Sequence, residues 1–132
     1  MNYLGLARRG GLAELGEEPV GAIARTGKAY VIAVASDASD HTWRRALSFV
    51  SGTEQKCIRI PYTKDQLGEA IGRTALAIAA FTDAALAVAF AKALPQPDSS
   101  LIEALEQKAA RITQRQKEAK AHQRNKRTGK KK

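Results

Sequence analysis

The sequence predicts an α/β fold, a three-layer α/β/α sandwich around a mixed four-stranded sheet, followed by a basic C-terminal helix and a disordered tail. Two apolar runs, at residues 30–35 and 75–81, have the composition of strands that are covered on both faces. Segments with helical spacing and capping residues alternate with these runs, as in sheets whose strands are joined by crossover helices. We therefore expect strands that run largely parallel in pairs, and one domain with an appendage in a chain of 132 residues.

Helix signals and turn residues divide residues 1–50 into five elements. Gly10 and Gly11 can supply a left-handed cap where the first helix ends. Pro19 fits the first turn of a second helix, because its missing N–H has no partner there. In order, the predicted elements are a helix at 2–9, an edge strand at 12–15, a helix from 17 to before 27, a strand at 30–35, and a helix at 40–49 with Trp43, Leu47 and Val50 at helical spacing.

Residues 57–132 continue the alternation and end in a basic extension. Thr63 and Gln66 form a capping-box pattern, and Thr82 and Asp83 precede the last helix of the domain. Pro95 ends that helix, because proline disfavours helix in the residue before it. The predicted elements are a strand at 57–60, a helix to about 71, a strand at 75–81, a helix to 94, and a helix from a capping box at 100–103 to about 123. We expect a domain at 1–94, a linker at 95–100, and a basic helical extension with a disordered tail at 101–132.

Positive charge is concentrated in the C-terminal extension. Residues 1–94 carry 11 Lys and Arg against 9 Asp and Glu, whereas residues 95–132 carry 11 against 4. This asymmetry indicates a polyanionic partner, most often nucleic acid. The tail can follow phosphates without recognising a shape, although a merely solubilising tail has the same composition. Residues from 125 onward are too polar to fold alone. The expected phosphate contacts of the tail are Arg124, Lys126, Arg127, Lys130, Lys131 and Lys132.

The sequence offers little support for an enzyme or a membrane protein. Cys57 is the only cysteine, which excludes an internal disulfide and a cysteine-based zinc site and favours a buried, inert thiol over a nucleophile. We find no nucleophile–base pair, Walker loop, dinucleotide fingerprint or paired catalytic carboxylates. We expect neither a signal peptide nor a membrane span. The expectation is a non-catalytic cytoplasmic protein without metal or cofactor.

Five phrases within the first 94 residues occur together in one RNA-binding family. They read LGLARRG at 4–10, LGEE at 15–18, TGKA at 26–29, VIAVASDAS at 31–39 and LGEAIGR at 67–73. Together they resemble the ribosomal L-seven-Ae / L-thirty-e superfamily, small α/β/α proteins that bind kinked RNA, and within it the bacterial YlxQ-like branch. The resemblance implies a ribosomal-type protein that recognises a kinked or looped RNA. Ribosomal RNA, or the ribosome itself, is then the expected partner of a monomer.

The resemblance also implies where RNA is bound. In the family, a glycine introduces the N-terminus of the second helix, which enters the RNA groove beside paired G·A bases. A helix N-terminus suits phosphates because it offers free N–H groups and a positive dipole end. A second segment lies over the splayed nucleotide at the kink, and the loop after the main strand borders the site. The matching residues, segment by segment, are Gly16, Glu17 and Glu18; Ile71, Gly72, Arg73 and Thr74; and Ser36 and Asp37.

Each of these segments also has a purely structural interpretation. The carboxylates at 17–18 can serve as helix-capping groups. Gly68 and Gly72 can allow close packing of the fourth helix. Asp37, with Asp40 and His41, suggests either a metal site or a set of helix caps. The basic pair at 8–9 is either solvated surface or part of an RNA face.

Two functions from different classes fit the sequence. The first is specific binding of structured RNA by the domain, with added phosphate contacts from the tail. The second is a protein- or ribosome-surface interaction module in which only the tail binds RNA. Pro19 and Ala22 motivate the second function, since archaeal and eukaryotic members of the family have glutamate and lysine at these positions.

Overall fold

A computed structural model describes the backbone of residues 2–129 and the side chains of residues 3–119. Strands and helices alternate along these residues. The strands are β1 (Ala13–Leu15), β2 (Val31–Val34), β3 (Lys56–Arg59) and β4 (Ile78–Phe81). The helices are α1 (Asn2–Arg9), α2 (Glu17–Arg25), α3 (Asp40–Val50), α4 (Lys64–Ala70), α5 (Ala84–Lys92) and α6 (Ser99–Gly129). The order of elements that the sequence predicts is confirmed.

The four strands form one mixed sheet in the order β1-β4-β2-β3. β2 and β3 are parallel, whereas β4 runs antiparallel to both of its neighbours. The mixed four-stranded sheet is confirmed, but the expectation of strands largely parallel in pairs is wrong. The connection from β3 to β4, residues 60–77 with the 7-residue α4, stays at the end of the sheet where β2 and β3 finish. β4 therefore begins beside the end of β2, with Ile78 opposite Val34, and runs back antiparallel to it.

Helices cover both faces of the sheet. α2 and α3 pack together on one face, while α1 and α5 lie on the other with α4 beside α1. The core between these layers is centred on β2 and β4, in which every residue is buried. The rings of Phe81 and Phe90 join the sheet to α5, with their centroids 4.6 Å apart. The three-layer sandwich that the sequence predicts is therefore confirmed.

Several helix ends follow from local sequence. The capping box of α4 is formed, since Thr63 Oγ1 accepts the N–H of Gln66 and Gln66 Oε1 accepts the N–H of Thr63. Asp83 Oδ2 caps α5 by accepting the N–H of Leu86 at 2.9 Å. Gly11, just after α1, has φ +70°, the left-handed conformation expected there. On α3 Trp43 and Val50 pack against the core as predicted, but Leu47 is 43% exposed and Ala46 takes its place on the buried face.

The long helix α6 differs from its prediction at both ends. It begins at Ser99, because Asp98 Oδ1 accepts the N–H groups of Ser100 at 2.9 Å and Leu101 at 3.2 Å, and the capping box at 100–103 does not start it. It continues to Gly129, past the predicted end near residue 123, while the disorder predicted for the tail stays a prediction. Lysine, arginine and glutamine are good helix formers, and no proline interrupts them. The predicted tail contacts Lys130, Lys131 and Lys132 lie outside the described residues, as do the side chains of Arg124, Lys126 and Arg127.

The first turns of α6 pack against the domain. Leu101 and Leu105 are 6% and 2% exposed and belong to the hydrophobic core. Farther along, the Lys108 ammonium lies 5.0 Å from the centroid of the Tyr30 ring. α6 therefore follows the sheet from the end where β3 finishes to the end where β2 begins, and its last turns extend past that end.

Candidate functional site

The three segments that the resemblance assigns to RNA lie at one end of the sheet. Because β4 is antiparallel to β1 and β2, Leu15 stands opposite Ala79 and Val34 stands opposite Ile78. The residues after β1, the residues after β2 and the loop before β4 therefore emerge side by side. We call this end of the sheet the upper edge, and its residues are Gly16, Glu17 and Glu18; Ser36 and Asp37; and Gly72, Arg73 and Thr74.

Backbone hydrogen bonds hold the three segments together. The N–H of Gly16 donates to the carbonyl of Ile78 at 3.0 Å, and the N–H of Ala35 donates to the carbonyl of Ala77 at 2.9 Å. Leu76 N–H donates to the Lys64 carbonyl at 2.9 Å, which joins the loop before β4 to the start of α4. The relative positions of the three segments are thus set by the main chain and do not depend on exposed side chains.

The start of α2 combines an uncapped helix end with a neutralised carboxylate. Gly16 has φ 98°, and it has no side chain with which to cap the helix. Glu17 Oε1 lies 2.6 Å from Arg45 Nε of α3, so the charge of this carboxylate is balanced by the Arg45 guanidinium. Glu18 is exposed. Of the two carboxylates that the sequence places here, only that of Glu18 faces the solvent without such a pair.

Close packing between α2 and α3 fixes the Arg45 side chain. The Arg45 guanidinium lies 5.3 Å from the centroid of the Phe49 ring. Phe49 in turn packs on Gly21 of α2, where an added Cβ would stand 3.0 Å from Phe49 Cζ. A glycine at this position lets the two helices approach, which brings the guanidinium to the first turn of α2.

The loop before β4 presents an arginine and a threonine to the solvent. Gly72 has φ +72°, and no atom lies within 4 Å of the position of a Cβ there. Arg73 and Thr74 are exposed, whereas the Ile71 side chain is 3% exposed and belongs to the core. Gly68 has a structural role, because an added Cβ would lie 2.6 Å from the backbone nitrogen of Ala75. Close packing therefore accounts for Gly68 but not for Gly72, and the RNA contacts assigned to this loop stay a prediction.

The loop after β2 is built from helix caps. Asp37 Oδ1 accepts the N–H of Lys64 at 2.8 Å, at the first turn of α4. Ser39 Oγ caps α3 by accepting the N–H of Thr42 at 3.2 Å. Among the residues whose side chains are described, no group of three or more histidines, cysteines, aspartates and glutamates could hold a metal ion. Capping therefore accounts for Asp37, and Ser36 beside it is exposed.

Arg59, at the end of β3, is a residue of this edge that was not predicted. Its Nη1 donates to the carbonyls of Ser36 at 3.2 Å and Ala38 at 3.4 Å, and its guanidinium lies 5.1 Å from the Trp43 ring centroid. Arg59 thereby braces the loop after β2. The signal in the sequence was a basic residue ending a strand parallel to β2, but it needed the strand pairing to be recognised.

A groove continues the upper edge along the α1 face. It encloses about 910 Å³ between α1 and α4 and ends at Ile71 and Gly72. Arg8, Arg9 and Tyr62 line it, so the basic pair at the end of α1 stands near the loop before β4. Far from this groove, burial raises the pKa of the Cys57 thiol, which fits the inert thiol expected from the sequence.

Solved structures with a similar fold include the following two. A Bacillus halodurans protein of unknown function has a TM-score of 0.60 at 23% identity, over 80% of this chain and 94% of that chain. A Giardia lamblia 15.5kD RNA binding protein has a TM-score of 0.54 at 14% identity, over 85% and 82%. The chain shares their fold. No protein-family model and no curated protein matches it. The fold agrees with the three-layer fold that the resemblance implies, while membership of the superfamily and of its YlxQ-like branch stays a prediction.

The helices give no sign of a membrane-spanning segment. Within residues 2–129, no helix combines the length and the apolar character that a bilayer crossing requires.

Proposed function

We propose that the protein binds structured RNA through the upper edge and acts by holding the shape of that RNA. The observation that carries this proposal is the convergence of the three segments, which are distant in sequence and adjacent in the fold. The similar fold of the Giardia protein, which is described as RNA binding, supports it. We further propose a kinked or looped RNA, with ribosomal RNA as the target of a cytoplasmic monomer.

The chemistry of the upper edge suits a bent RNA backbone. The uncapped first turn of α2 offers N–H groups and a positive dipole end to a phosphate. Glu17 does not oppose this, because Arg45 balances its charge. Glu18 can accept a hydrogen bond from a base amino group, as carboxylates do from cytosine or adenine. Specificity then comes from a few donors and acceptors held in fixed places.

The loop before β4 supplies the second contact. Gly72 leaves its backbone uncovered, so a nucleotide can approach closely. Arg73 can stack on an unpaired base or pair with its phosphate, and both interactions are common in the recognition of single-stranded loops. Ile71 contributes no side chain, because it is buried, so its part in the site is limited to the backbone.

Replacement of Arg73 tests this function. Arg73→Gln removes the charge from the loop, whereas Arg44→Gln removes an equal charge from the exposed surface of α3 and serves as the control. We expect Arg73→Gln to weaken binding to a kink-turn RNA about tenfold more than binding to a straight duplex, which corresponds to about 1.4 kcal/mol. Equal losses on the two RNAs, or equal losses for the two variants, would contradict recognition by the loop.

One observation favours the alternative, an interaction module in which the tail alone binds RNA. Pro19 and Ala22 are exposed on α2, so the helix presents no cation next to the upper edge where the family has a lysine. Ala22→Lys distinguishes the two functions. If the upper edge binds RNA, the added lysine should strengthen binding to kinked RNA several-fold at low salt. If it binds a protein, the affinity for RNA should change no more than for a lysine added elsewhere.

A further inference from the structure

The end of the sheet opposite the upper edge contains a second concave site. It is a cavity of about 300 Å³ between the loop after α2, the loop before β3 and the middle of α6. We call it the basal pocket, and its charged and aromatic lining consists of Lys28, Tyr30, Glu54, Lys108, Arg111 and Arg115. Neither the family resemblance nor the comparisons assign any role to this end of the domain.

The fold brings these side chains together in two ways. β2 and β3 are parallel, with Val31 opposite Lys56, so the loops that precede them lie at the same end of the sheet. The pocket cations of α6, Lys108, Arg111 and Arg115, are three and four residues apart and therefore lie on one face of the helix. The Lys108 ammonium rests over the Tyr30 ring at 5.0 Å, and Ile112 of the same face is half-buried.

A buried glutamine connects two of the segments that form the pocket. Gln55 is 3% exposed. Its Oε1 accepts the N–H of Ala29 at 2.9 Å, and its Nε2 donates to the carbonyl of Ala24 at 3.1 Å. These bonds join the loop after α2 to the loop before β3. Lys28 and Glu54 are therefore mounted on two loops that are fastened to each other, while the other basic groups of the pocket belong to α6.

The pocket has a marked excess of positive charge. Four of its side chains are basic and only Glu54 is acidic, and the ion pair of Glu54 with Arg111 is loose at 3.5 Å. Burial lowers the pKa of Lys108, and Arg111 and Lys56 lower it further against the opposing effect of Glu54. Like charges confined in this way repel each other, and a bound anion relieves the repulsion. Lys28 and Arg115 are exposed and can contact such an anion.

We propose that the basal pocket binds a backbone phosphate of RNA, so that the protein holds a second RNA segment at the end of the domain opposite the upper edge. The inference rests on the proposed function for the identity of the polyanion. α6 favours a nucleic acid over a free anion, because the helix continues from the pocket with Lys117 and the further cations of the tail. Lys117 lies about 200° around the helix from Arg115, so a polyanion that winds around α6 can contact both, whereas a single phosphate cannot.

The two RNA sites are separated by the length of the sheet. About six residues of extended chain lie between Tyr30 and Ser36, which corresponds to roughly 20 Å. Because the two sites lie at opposite ends of the sheet, different nucleotides have to occupy them. The protein therefore joins two segments, either of one folded RNA or of two RNAs.

A pair of substitutions in the full chain tests the pocket. Lys28→Gln with Arg115→Gln removes two pocket cations that make no ion pair among the described residues. Arg44→Gln with Lys92→Gln removes the same charge outside both sites and is the control; because Lys92 pairs with Glu106 of α6 at 3.5 Å, circular dichroism of this variant checks that its fold is unchanged. We expect the pocket variant to bind a folded RNA about tenfold more weakly than the control variant, with a salt slope smaller by about 1.5. Glu54→Gln should have the opposite effect and strengthen binding several-fold.

The outcomes separate the possible ligands. Equal affinities of the pocket and control variants for RNA overturn the inference while leaving the upper edge untouched. Calorimetric titration with inorganic phosphate tests whether the pocket binds free phosphate instead of RNA. If it does, the pocket variant loses phosphate binding but keeps its affinity for RNA. Failure of the unaltered chain to bind any RNA overturns the proposed function and, with it, this inference.

Discussion

The two ends of the sheet differ in whether main-chain or side-chain groups form their surface. At the upper edge the main chain sets the geometry, with Gly16 and Gly72 at φ 98° and +72° and hydrogen bonds between three loops. At the basal end side chains form the surface, and most of the charged ones are cations on α6. Cations on flexible stems attract any phosphate, whereas a fixed arrangement of backbone donors discriminates between shapes. We infer that the upper edge provides specificity and the basal end provides affinity.

Neutralising the end of α6 should have the largest effect, and it tests whether affinity comes from the basal end. The five substitutions Lys117→Gln, Lys120→Gln, Arg124→Gln, Lys126→Gln and Arg127→Gln keep good helix formers in place. We expect affinity for a straight duplex to fall at least about 100-fold, and the slope of log Kd against log salt to fall by about 4. Fluorescence anisotropy from low to moderate salt measures both. A loss within about threefold would assign affinity to the domain instead.

Gly68→Ala should have the next largest effect, because it displaces the backbone of the loop before β4 at the upper edge. The added Cβ would lie 2.6 Å from Ala75 N and 2.8 Å from the Arg73 carbonyl, which are backbone atoms that move only with the loop. We expect a loss of about 2–3 kcal/mol in the free energy of unfolding in urea. Gly72→Ala is the matched control, where only the positive φ is strained and the cost is about 1 kcal/mol. A Gly68→Ala protein as stable as the unaltered chain would refute this packing.

Gln55→Ala should destabilise the basal end by about 2 kcal/mol. It leaves the buried Ala29 N–H without a partner, and it removes one of two hydrogen bonds to the Ala24 carbonyl, which still accepts the N–H of Gly27 at 3.0 Å. Gln66 is exposed, and Gln66→Ala, which removes part of the capping box of α4, should lower the free energy of unfolding by about 1 kcal/mol or less. Thermal unfolding followed by circular dichroism compares the two. If the two variants lost equal stability, the basal loops would not depend on the Gln55 side chain.

Glu17→Gln should have the smallest effect on stability and sharpens the electrostatic part of the comparison. The ion pair with Arg45 is at the surface, where such pairs contribute about 0.5 kcal/mol. Without its partner carboxylate, Arg45 is available to a phosphate, so we expect RNA binding to strengthen about two- to threefold at low salt. Weaker binding would show that the Glu17 carboxylate itself contacts the RNA, which an anisotropy titration can decide.

Local signals were sufficient for much of the fold. The capping box at Thr63 and the cap at Asp83 involve residues within one helical turn, so the sequence reveals them directly. The antiparallel entry of β4 was missed, because it depends on where the short α4 lies in space. The start of α6 was misplaced because Asp98 and Ser100 are both residues that commonly cap helices. In the structure Asp98 is the cap, and the helix that starts there packs Leu101 against the core.

The candidate sites divide in the same way. The resemblance supplied the three segments of the upper edge, and the strand pairing shows that they are neighbours. It could not supply Arg59, whose role depends on the loop carbonyls that it reaches. The basal pocket was visible in the sequence only as an excess of charge from Lys108 onward. Its partners Lys28 and Glu54 join it through the tertiary structure alone.

The most direct test of the division between specificity and affinity is the RNA preference of the chain with a neutralised tail. A fragment ending at residue 94 is unsuitable, because Leu101 and Leu105 belong to the core. The measurement is the ratio of Kd for a straight duplex to Kd for a kink-turn RNA of equal length, at two salt concentrations. Our account predicts that tail neutralisation weakens both affinities but preserves the ratio, and that adding Arg73→Gln reduces it. A ratio of one after neutralisation would contradict specific recognition by the upper edge.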